Sequence, residues 1–494
     1  MSNLITSGTE WTFDLLERFD RAIARHASDL KLDVYPNQIE VITSEQMLDA
    51  YATTGLPLLY PHWSYGKEFI ANERAYRRGA MGLAYEIVIN SNPCIAYLME
   101  ENNLPMQALV IAHASYGHNA FFKGNYLFRQ WTDAEGILDY LVFARDYVRK
   151  CEERHGVAAV EEVLDSCHAL MHFGVDRYKR PPTLSAEAER ARLQQRERDR
   201  ERAHNELWRS TVRMDKPATQ PQHYPAEPQE NLLYFVEKNA PKLETWQREI
   251  VRIVRKLAQY FYPQGQTRLM NEGFATFIHH TILNRMYDAG EVNDGFMLEV
   301  LESHTNVVLQ PGFDDRRYSG INPYALGFAM YRDLKRIVEA PDAEDRHWFP
   351  DIAGTGDWVR VLDFAMRNYK DESFIQQLLS PRLMREFRLF HLADRVDEDA
   401  YRVAAIHDED GYRRLRNALS AQYRRENMLP DIQVTRYDQH GDRSLHVTHY
   451  AFQRRSLEPA TARETLRHLR RLWGFDVQLE TVAADGQVVA TYSA

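Results

Sequence analysis

A carboxylate and an imidazole lie seven residues apart in the apolar segment 268–280, at Glu272 and His279. On a helix with 3.6 residues per turn, this spacing puts both side chains on one face, about 20° apart and two turns from each other. A charge that points into an apolar layer is normally paired or bound to a metal ion. The spacing therefore predicts half of a metal site, with Glu272 and His279 as ligands.

The second half of this site is expected in the apolar segment 109–122, which contains His113 and His118. Positions i and i+5 diverge by about 140° on a regular helix, so both imidazoles can reach one ion only if the helix is distorted. Gly117 permits a distortion, and a π-bulge is common at functional sites. The alternative is that each histidine is a core residue whose ring nitrogens bond to backbone or carboxylate groups.

Three further residues are candidates for the same site. Glu86 is an isolated carboxylate in the segment 70–90, which we predict to be helical, and it is interpreted as a further ligand, a catalytic acid or base, or one half of an ion pair with a nearby arginine. His168 has a second histidine four residues later, a spacing that lets two imidazoles share an ion. His280, next to His279, is the other candidate for an additional ligand.

An aromatic segment at 56–67 is bounded by proline and glycine and is predicted to be a loop. Aromatic side chains with a lone lysine in such a loop can line a pocket for an anionic or amide-rich ligand. The alternative is a loop that its rings attach to the core. The candidate pocket residues are His62, Trp63, Tyr65 and Lys67.

Composition excludes several classes of protein. The chain has 61 basic and 71 acidic residues, a formal net charge of -10, which argues against a general nucleic-acid-binding protein. Its three cysteines suit neither a disulfide framework nor a thiolate zinc site. The sequence has no apolar stretch long enough to span a membrane and no signal pattern at its N-terminus. These features predict a cytoplasmic protein.

Hydrophobic periodicity predicts a mainly α protein, with a large helical body, for example of the bundle type, and a small α+β C-terminal domain. Residues 1–178 and 231–390 are predicted helical domains, which carry the first and second halves of the metal site. Residues 179–230 are rich in mixed charges and proline and are predicted to be a solvated insertion. Residues 391–494 follow the order β-α-β-β-α-β-β, with Asp485-Gly486 in the last hairpin turn.

Several sequence blocks resemble the stage V sporulation protein R (SpoVR) family. The resemblance spans most of the chain and implies a cytoplasmic bacterial protein linked to formation of the spore cortex, with relatives in bacteria that make no spores. The blocks that carry it are residues 35–42, 46–51, 62–67, 113–122, 174–178 and 271–275.

A second resemblance concerns the segment Asn271–Ala275, which is similar to the third-ligand helix of gluzincin aminopeptidases. It implies that the helical body is zincin-like, that Glu272 binds zinc, and that His113 and His118 belong to a stretched version of the His-Glu-x-x-His helix. Ala114 stands where that helix has its general-base glutamate, so ordinary peptidase chemistry lacks its proton acceptor.

These observations predict a metal-dependent enzyme, with zinc as the favoured ion and hydrolysis or transfer of an amide as the reaction. The SpoVR resemblance implies a peptide-like substrate related to cell-wall precursors. A di-metal oxidase in a helical bundle is a competing hypothesis, but it needs more acidic ligands than the apolar segments supply. A further alternative is a non-enzymatic regulatory scaffold with a structural metal, whose C-terminal domain or charged insertion binds a protein partner.

Overall fold

The computed structural model describes residues 4–53, 56, 58–77, 86–176, 191, 194–195, 198, 224–225, 227–393, 402–405, 408–424, 429–439, 441–451 and 455–494. Most of the predicted charged insertion, 179–230, lies outside these residues.

Helices dominate the described residues, which confirms the predicted mainly α fold class. No described helix is both long enough and apolar enough to cross a membrane. The α-helices are α1 (Phe13–Asp29), α2 (Ser44–Ala52), α3 (Trp63–Arg77), α4 (Leu104–Val110), α5 (Asn119–Gly124), α6 (Tyr126–Trp131), α7 (Ile137–His155), α8 (Val157–Ala169), α9 (Leu232–Asn239), α10 (Thr245–Gln266), α11 (Arg268–Asp288), α12 (Asp294–Val307), α13 (Pro323–Glu339), α14 (Ala343–Trp348), α15 (Trp358–Asn368), α16 (Asp371–Leu378), α17 (Pro381–Glu386), α18 (Glu409–Gln422) and α19 (Pro459–Trp473). A π-helix, Ile111–His118, joins α4 to α5, and a 3-10 turn, Met171–Phe173, follows α8.

The strands form three small sheets among the described residues. The strands are β1 (Asn37–Ile42), β2 (Glu86–Ile89), β3 (Cys94–Met99), β4 (His391–Ala393), β5 (Arg402–Ala405), β6 (Asp431–Tyr437), β7 (Leu445–Tyr450), β8 (Val477–Val482) and β9 (Val488–Ser493). The first sheet has the order β1-β3-β2, with β1 parallel and β2 antiparallel to β3. The second is the antiparallel pair β4-β5, and the third has the order β6-β7-β8-β9 with β7 and β8 parallel.

The described residues form two compact units, and each unit combines two separate segments of the chain. The first contains Met1–Leu164 and Lys256–Leu429, and the second contains Asp165–Arg255 and Pro430–Ala494. The division predicted from the sequence is different, because it consists of the consecutive segments 1–178, 179–230, 231–390 and 391–494. Within the last of these, the predicted order of strands and helices is observed from β5 to β9. However, β5 and α18 belong to the first unit, and the four-stranded sheet belongs to the second.

Two local predictions near the start of the chain are wrong. The segment 70–90 is not one helix, because α3 ends at Arg77 and Glu86 begins a strand. The three residues after Glu86 are Ile, Val and Ile, and such β-branched side chains favour strands. The segment 56–67 is not a loop throughout, because α3 begins at Trp63 and includes Tyr65 and Lys67.

Helix α11 is central to the core of the first unit, where it packs against α13 and the π-helix. Its crossing with α13 depends on glycine, since a Cβ on Gly273 would lie 2.3 Å from the carbonyl carbon of Gly327. A Cβ on Gly117 would lie 2.6 Å from Ala275 Cα. Gly117 therefore allows the π-helix to approach α11 closely. This is a second role for Gly117, besides the helix distortion predicted from the sequence.

The N-terminus of α11 is held by a buried carboxylate. The backbone N–H groups of Leu269 and Met270 donate to Asp371 Oδ2 and Oδ1, each at 2.9 Å. Burial raises the pKa of Asp371 to about 7, although these two hydrogen bonds act to lower it. The amide groups at this helix end, which would otherwise attract an anion, are thus already bonded within the protein.

Candidate metal centre

Four of the side chains singled out from the sequence converge in the first unit: Glu86, His113, His118 and Glu272. Glu86 Oε1 lies 3.3 Å from His113 Nε2 and 3.6 Å from His118 Nε2. Glu272 Oε2 lies 3.8 Å and 3.5 Å from the same two nitrogens. Ligand atoms bound tetrahedrally at about 2.1 Å are about 3.4 Å apart, so these separations suit atoms that share one ion.

The backbone of the 111–118 segment explains how two histidines five residues apart reach the same point. The predicted π distortion is confirmed, and it extends over the whole segment Ile111–His118. In a π-helix the hydrogen bonds join residues i and i+5, so these positions are neighbours along the helix. The rings of His113 and His118 are accordingly 4.6 Å apart between centroids, with both side chains buried.

The outer nitrogens of both imidazoles are held by hydrogen bonds. His118 Nδ1 lies 2.9 Å from Asn271 Oδ1, and an N–H at Nδ1 donates to that oxygen. His113 Nδ1 lies 2.9 Å from His279 Nδ1. Such bonds fix the orientation of a ring and leave its Nε2 lone pair directed at the site, as second partners of metal-bound histidines do.

His279 lies behind His113, hydrogen-bonded to its outer nitrogen. Both ring nitrogens of His279 are hydrogen-bonded to other imidazoles, so His279 is placed as an outer partner of the centre rather than as the ligand that its spacing from Glu272 predicts. His279 Nε2 in turn lies 2.9 Å from His304 Nδ1, so three imidazoles form a chain. Burial and the neighbouring imidazoles hold the pKa of His279 well below its usual value. Burial, with His280 nearby, lowers the pKa of His304 to about 4. Since these lowered pKa values leave His279 and His304 uncharged at neutral pH, His279 donates from one ring nitrogen and accepts at the other.

We therefore expect His279→Ala to weaken binding of a divalent ion by about 10-fold to 100-fold, the usual cost of losing such an outer partner. Competition with a coloured chelator would measure the change. His280→Ala is the control at the neighbouring position, because the His280 ring packs against His304 and Phe328 rather than against His113. Equal losses in the two variants would contradict the orienting role of His279.

The electrostatics of the centre favour a positive charge between the carboxylates. Burial acts to lower the pKa of His118, but Glu272 and Glu86 outweigh it and raise this pKa to about 9. Burial acts to raise the pKa of Glu272, but His118, His113 and a hydrogen bond from Tyr324 hold it below its usual value. The centre therefore carries a proton on His118 at neutral pH, in a position where a metal ion would replace it.

This proton makes ion binding dependent on pH. Since the ion must displace a proton held with a pKa of about 9, we expect apparent affinity for a divalent ion to fall about 10-fold per pH unit below pH 9. Affinities measured by chelator competition from about pH 6 to pH 9 would show the slope. An affinity that does not change over this range would contradict the assignment of His118 as a ligand.

Within the described part of the chain, a buried carboxylate oxygen without a hydrogen-bond partner indicates that a cation would fit in the centre. Glu86 Oε2 is buried and has no hydrogen-bond partner among the described residues. A buried carboxylate oxygen without a partner is costly, and a bound ion or its water would satisfy it. Glu86, His113 and His118 also offer ligand atoms that lie within 4.8 Å of one another.

The centre forms part of the wall of a cavity of about 780 Å³ in the first unit. Tyr324 and Arg268 line the same cavity, and the Tyr324 hydroxyl donates to Glu272. The exposed residue Arg268 belongs to this wall, so the cavity reaches the surface. Apolar side chains cover much of the remaining wall, among them Leu56, Val88, Leu109, Val110, Phe122 and Val307.

The remaining candidates from the sequence are placed elsewhere. His168 lies on α8 in the part of that helix that belongs to the second unit. His280 is half-buried against His304. The described lining of the cavity does not include His62, Trp63, Tyr65 or Lys67, the four candidate pocket residues of the aromatic segment 56–67. Within that segment His62 is buried, with its Nδ1 2.6 Å from Ser64 Oγ, whereas Trp63 and Lys67 are exposed.

Three residues of the centre were missed from the sequence: Asn271, His304 and Tyr324. Asn271 adjoins Glu272 in the block 271–275, and that proximity is a signal that could have identified it. His304 and Tyr324 lie on α12 and α13, and no spacing in the sequence connects them with the centre.

Comparison with known proteins agrees with the resemblance noted in the sequence. A family profile described as "SpoVR like protein" matches residues 10–428, and one described as "SpoVR-like C-terminal domain" matches residues 430–484. The chain is 58% identical over 486 residues to "Uncharacterized protein YcgB" of Escherichia coli (strain K12), covering 98% of this chain and 95% of that protein. No solved structure matches. The chain belongs to the SpoVR family.

Proposed function

We propose that this protein is a metal-dependent enzyme that hydrolyses or transfers an amide bond, with zinc as the favoured ion. The observation that carries this proposal is the convergence of two imidazoles and two carboxylates on the wall of a cavity that reaches the surface. Structural zinc sites are closed by protein ligands, whereas catalytic sites keep a position open to water or substrate. Access through the cavity therefore favours catalysis over the alternative of a scaffold with a structural ion.

The side chains divide into holding and reacting groups. His113, His118 and Glu272 would hold the ion, because both imidazoles are oriented from behind and Glu272 is anchored by Tyr324. The ion would polarise a substrate carbonyl and lower the pKa of bound water. Glu86 would accept the proton of that water, since one of its oxygens has no partner among the described residues. Glu86 would thus replace the general base that is missing at Ala114.

The substrate class rests on reaction chemistry and on the family. The two-imidazole, one-carboxylate set is that of zinc enzymes that cleave amides, which favours a peptide-like substrate. The link of the SpoVR family to the spore cortex favours an amide in a cell-wall precursor.

The proposal is tested by measuring metal content after purification without chelator. We expect about one divalent ion per chain, and hydrolysis of cell-wall peptides by the loaded protein, detected as newly formed amine. Protein that contains no stoichiometric ion and cannot be loaded with zinc would contradict the proposal.

The role of Glu86 is tested separately by Glu86→Gln. As a general base rather than a ligand, its replacement is expected to leave the ion bound within about 10-fold of the original affinity and to slow amide hydrolysis by about 10²-fold to 10⁴-fold. Loss of the ion in this variant would instead identify Glu86 as a ligand and leave the base unassigned.

A further inference from the structure

The charged groups around the cavity are arranged unevenly. Among the described residues that line it, Arg268 is the one arginine or lysine, and the acidic side chains are Glu86 and Glu272 of the metal centre. An ion of charge +2 would offset these two carboxylates, so Arg268 would leave the cavity with a local excess of positive charge.

Arg268 is also available to bind a ligand. Its side chain is exposed, and within the described part of the chain it forms no ion pair. Asp371, which lies at this helix end, accepts hydrogen bonds from the N–H groups of Leu269 and Met270. Anion binding here would therefore depend on the Arg268 guanidinium rather than on the backbone of α11.

The helix sets the distance between this guanidinium and the metal centre. Arg268 is four residues before Glu272 on α11, so the two side chains share a face and are separated by a rise of about 6 Å. A ligand that contacts both the Arg268 guanidinium and the metal ion needs an anionic group a few bonds away from the group that binds the ion. The guanidinium presents paired N–H donors that match the oxygens of carboxylate or phosphate.

We propose that the substrate carries an oxyanion, a carboxylate or a phosphate, on one side of the reacting bond, and that Arg268 binds it. This inference rests on the proposed function, since it takes the metal centre as the second point of attachment. Arg268 is thus a specificity-determining residue, and apolar parts of the substrate would contact the remaining cavity wall.

The test uses Co²⁺-loaded full-length protein and hydroxamates, which bind metal ions whatever the natural substrate. Each probe in a series of increasing chain length ends in a carboxylate, in a phosphonate or in the methyl ester of the carboxylate. Dissociation constants are taken from the change in the visible Co²⁺ spectrum. We expect one anionic series to bind at least about 10-fold more tightly than the esters, because a hydrogen bond between charged groups contributes this much to affinity. Arg268→Gln should abolish that preference. The better of the two anionic series identifies the oxyanion.

Arg285→Gln is the matched control, because Arg285 lies in the last turn of the same helix. It should keep the anionic preference, and Arg268→Lys should keep part of it. Equal affinities of anionic and ester probes in the unchanged protein, or a preference that persists in Arg268→Gln, would overturn this inference while the metal centre stands. Failure of Co²⁺ to bind would overturn the proposed function and this inference with it.

Discussion

Replacing Glu272 by glutamine is expected to abolish stoichiometric binding of a divalent ion while the protein remains folded. The neutral amide removes the negative charge that faces His113 and His118, and its NH₂ group is not a metal ligand. We expect affinity to fall by more than about 100-fold, beyond the loss from an outer partner. Chelator competition measures the affinity, and thermal unfolding of the ion-free protein measures the fold.

Glu291→Gln is the control for this change. Glu291 also contacts an imidazole, with its Oε2 3.1 Å from His26 Nε2, and its side chain is 13% exposed compared with 21% for Glu272. It faces one histidine rather than two and does not line the cavity. Ion affinity that falls equally in both variants would show that a general loss of buried charge, rather than a lost ligand, explains the result.

Replacing Gly273 by alanine is expected to destabilise the first unit by about 3 kcal/mol or more, at the upper end of the cost of overpacking. The added methyl carbon would lie 2.3 Å from the Gly327 carbonyl carbon and 2.4 Å from its Cα. Backbone atoms cannot rotate away, so α11 and α13 would have to separate. Chemical denaturation would measure the loss in free energy of unfolding, and ion affinity should fall as well because Glu272 adjoins Gly273.

Gly66→Ala provides the comparison within another helix. Gly66 lies in α3, and a Cβ there would have nothing within 4 Å. Alanine at such a position is expected to stabilise the helix by up to about 1 kcal/mol. If Gly273→Ala were as well tolerated as Gly66→Ala, the close crossing of α11 and α13 would be contradicted.

The sequence indicated the centre because its main residues occur at informative spacings. Apolar segments that contain His113, His118 and Glu272 can be recognised from composition, and the five-residue separation of the histidines required a π distortion. The seven-residue spacing also predicts His279 as a ligand, because it returns to the same helix face. Spacing gives no information on the partners of the His279 ring, which are His113 and His304.

Other features could not be obtained from one-dimensional patterns. The position of Glu86 depends on β2 lying beside β3 and the π-helix, and short apolar runs do not distinguish a strand from a helix. Pairing of distant segments into two units depends on contacts between residues far apart in the chain. The secondary structure of the C-terminal region was easier to predict, because period-two alternation and an amphipathic helix are local signals.

The order of the residues of the centre along the chain has a consequence for biosynthesis. Glu86, His113 and His118 are translated long before Glu272, so a nascent chain that ends before Glu272 lacks one of the proposed ligands. Ions bind weakly to ligands that a fold has not yet brought together. Loading is therefore expected only after α11 has emerged from the ribosome, so an occupied centre would distinguish chains that extend beyond α11 from shorter truncated products.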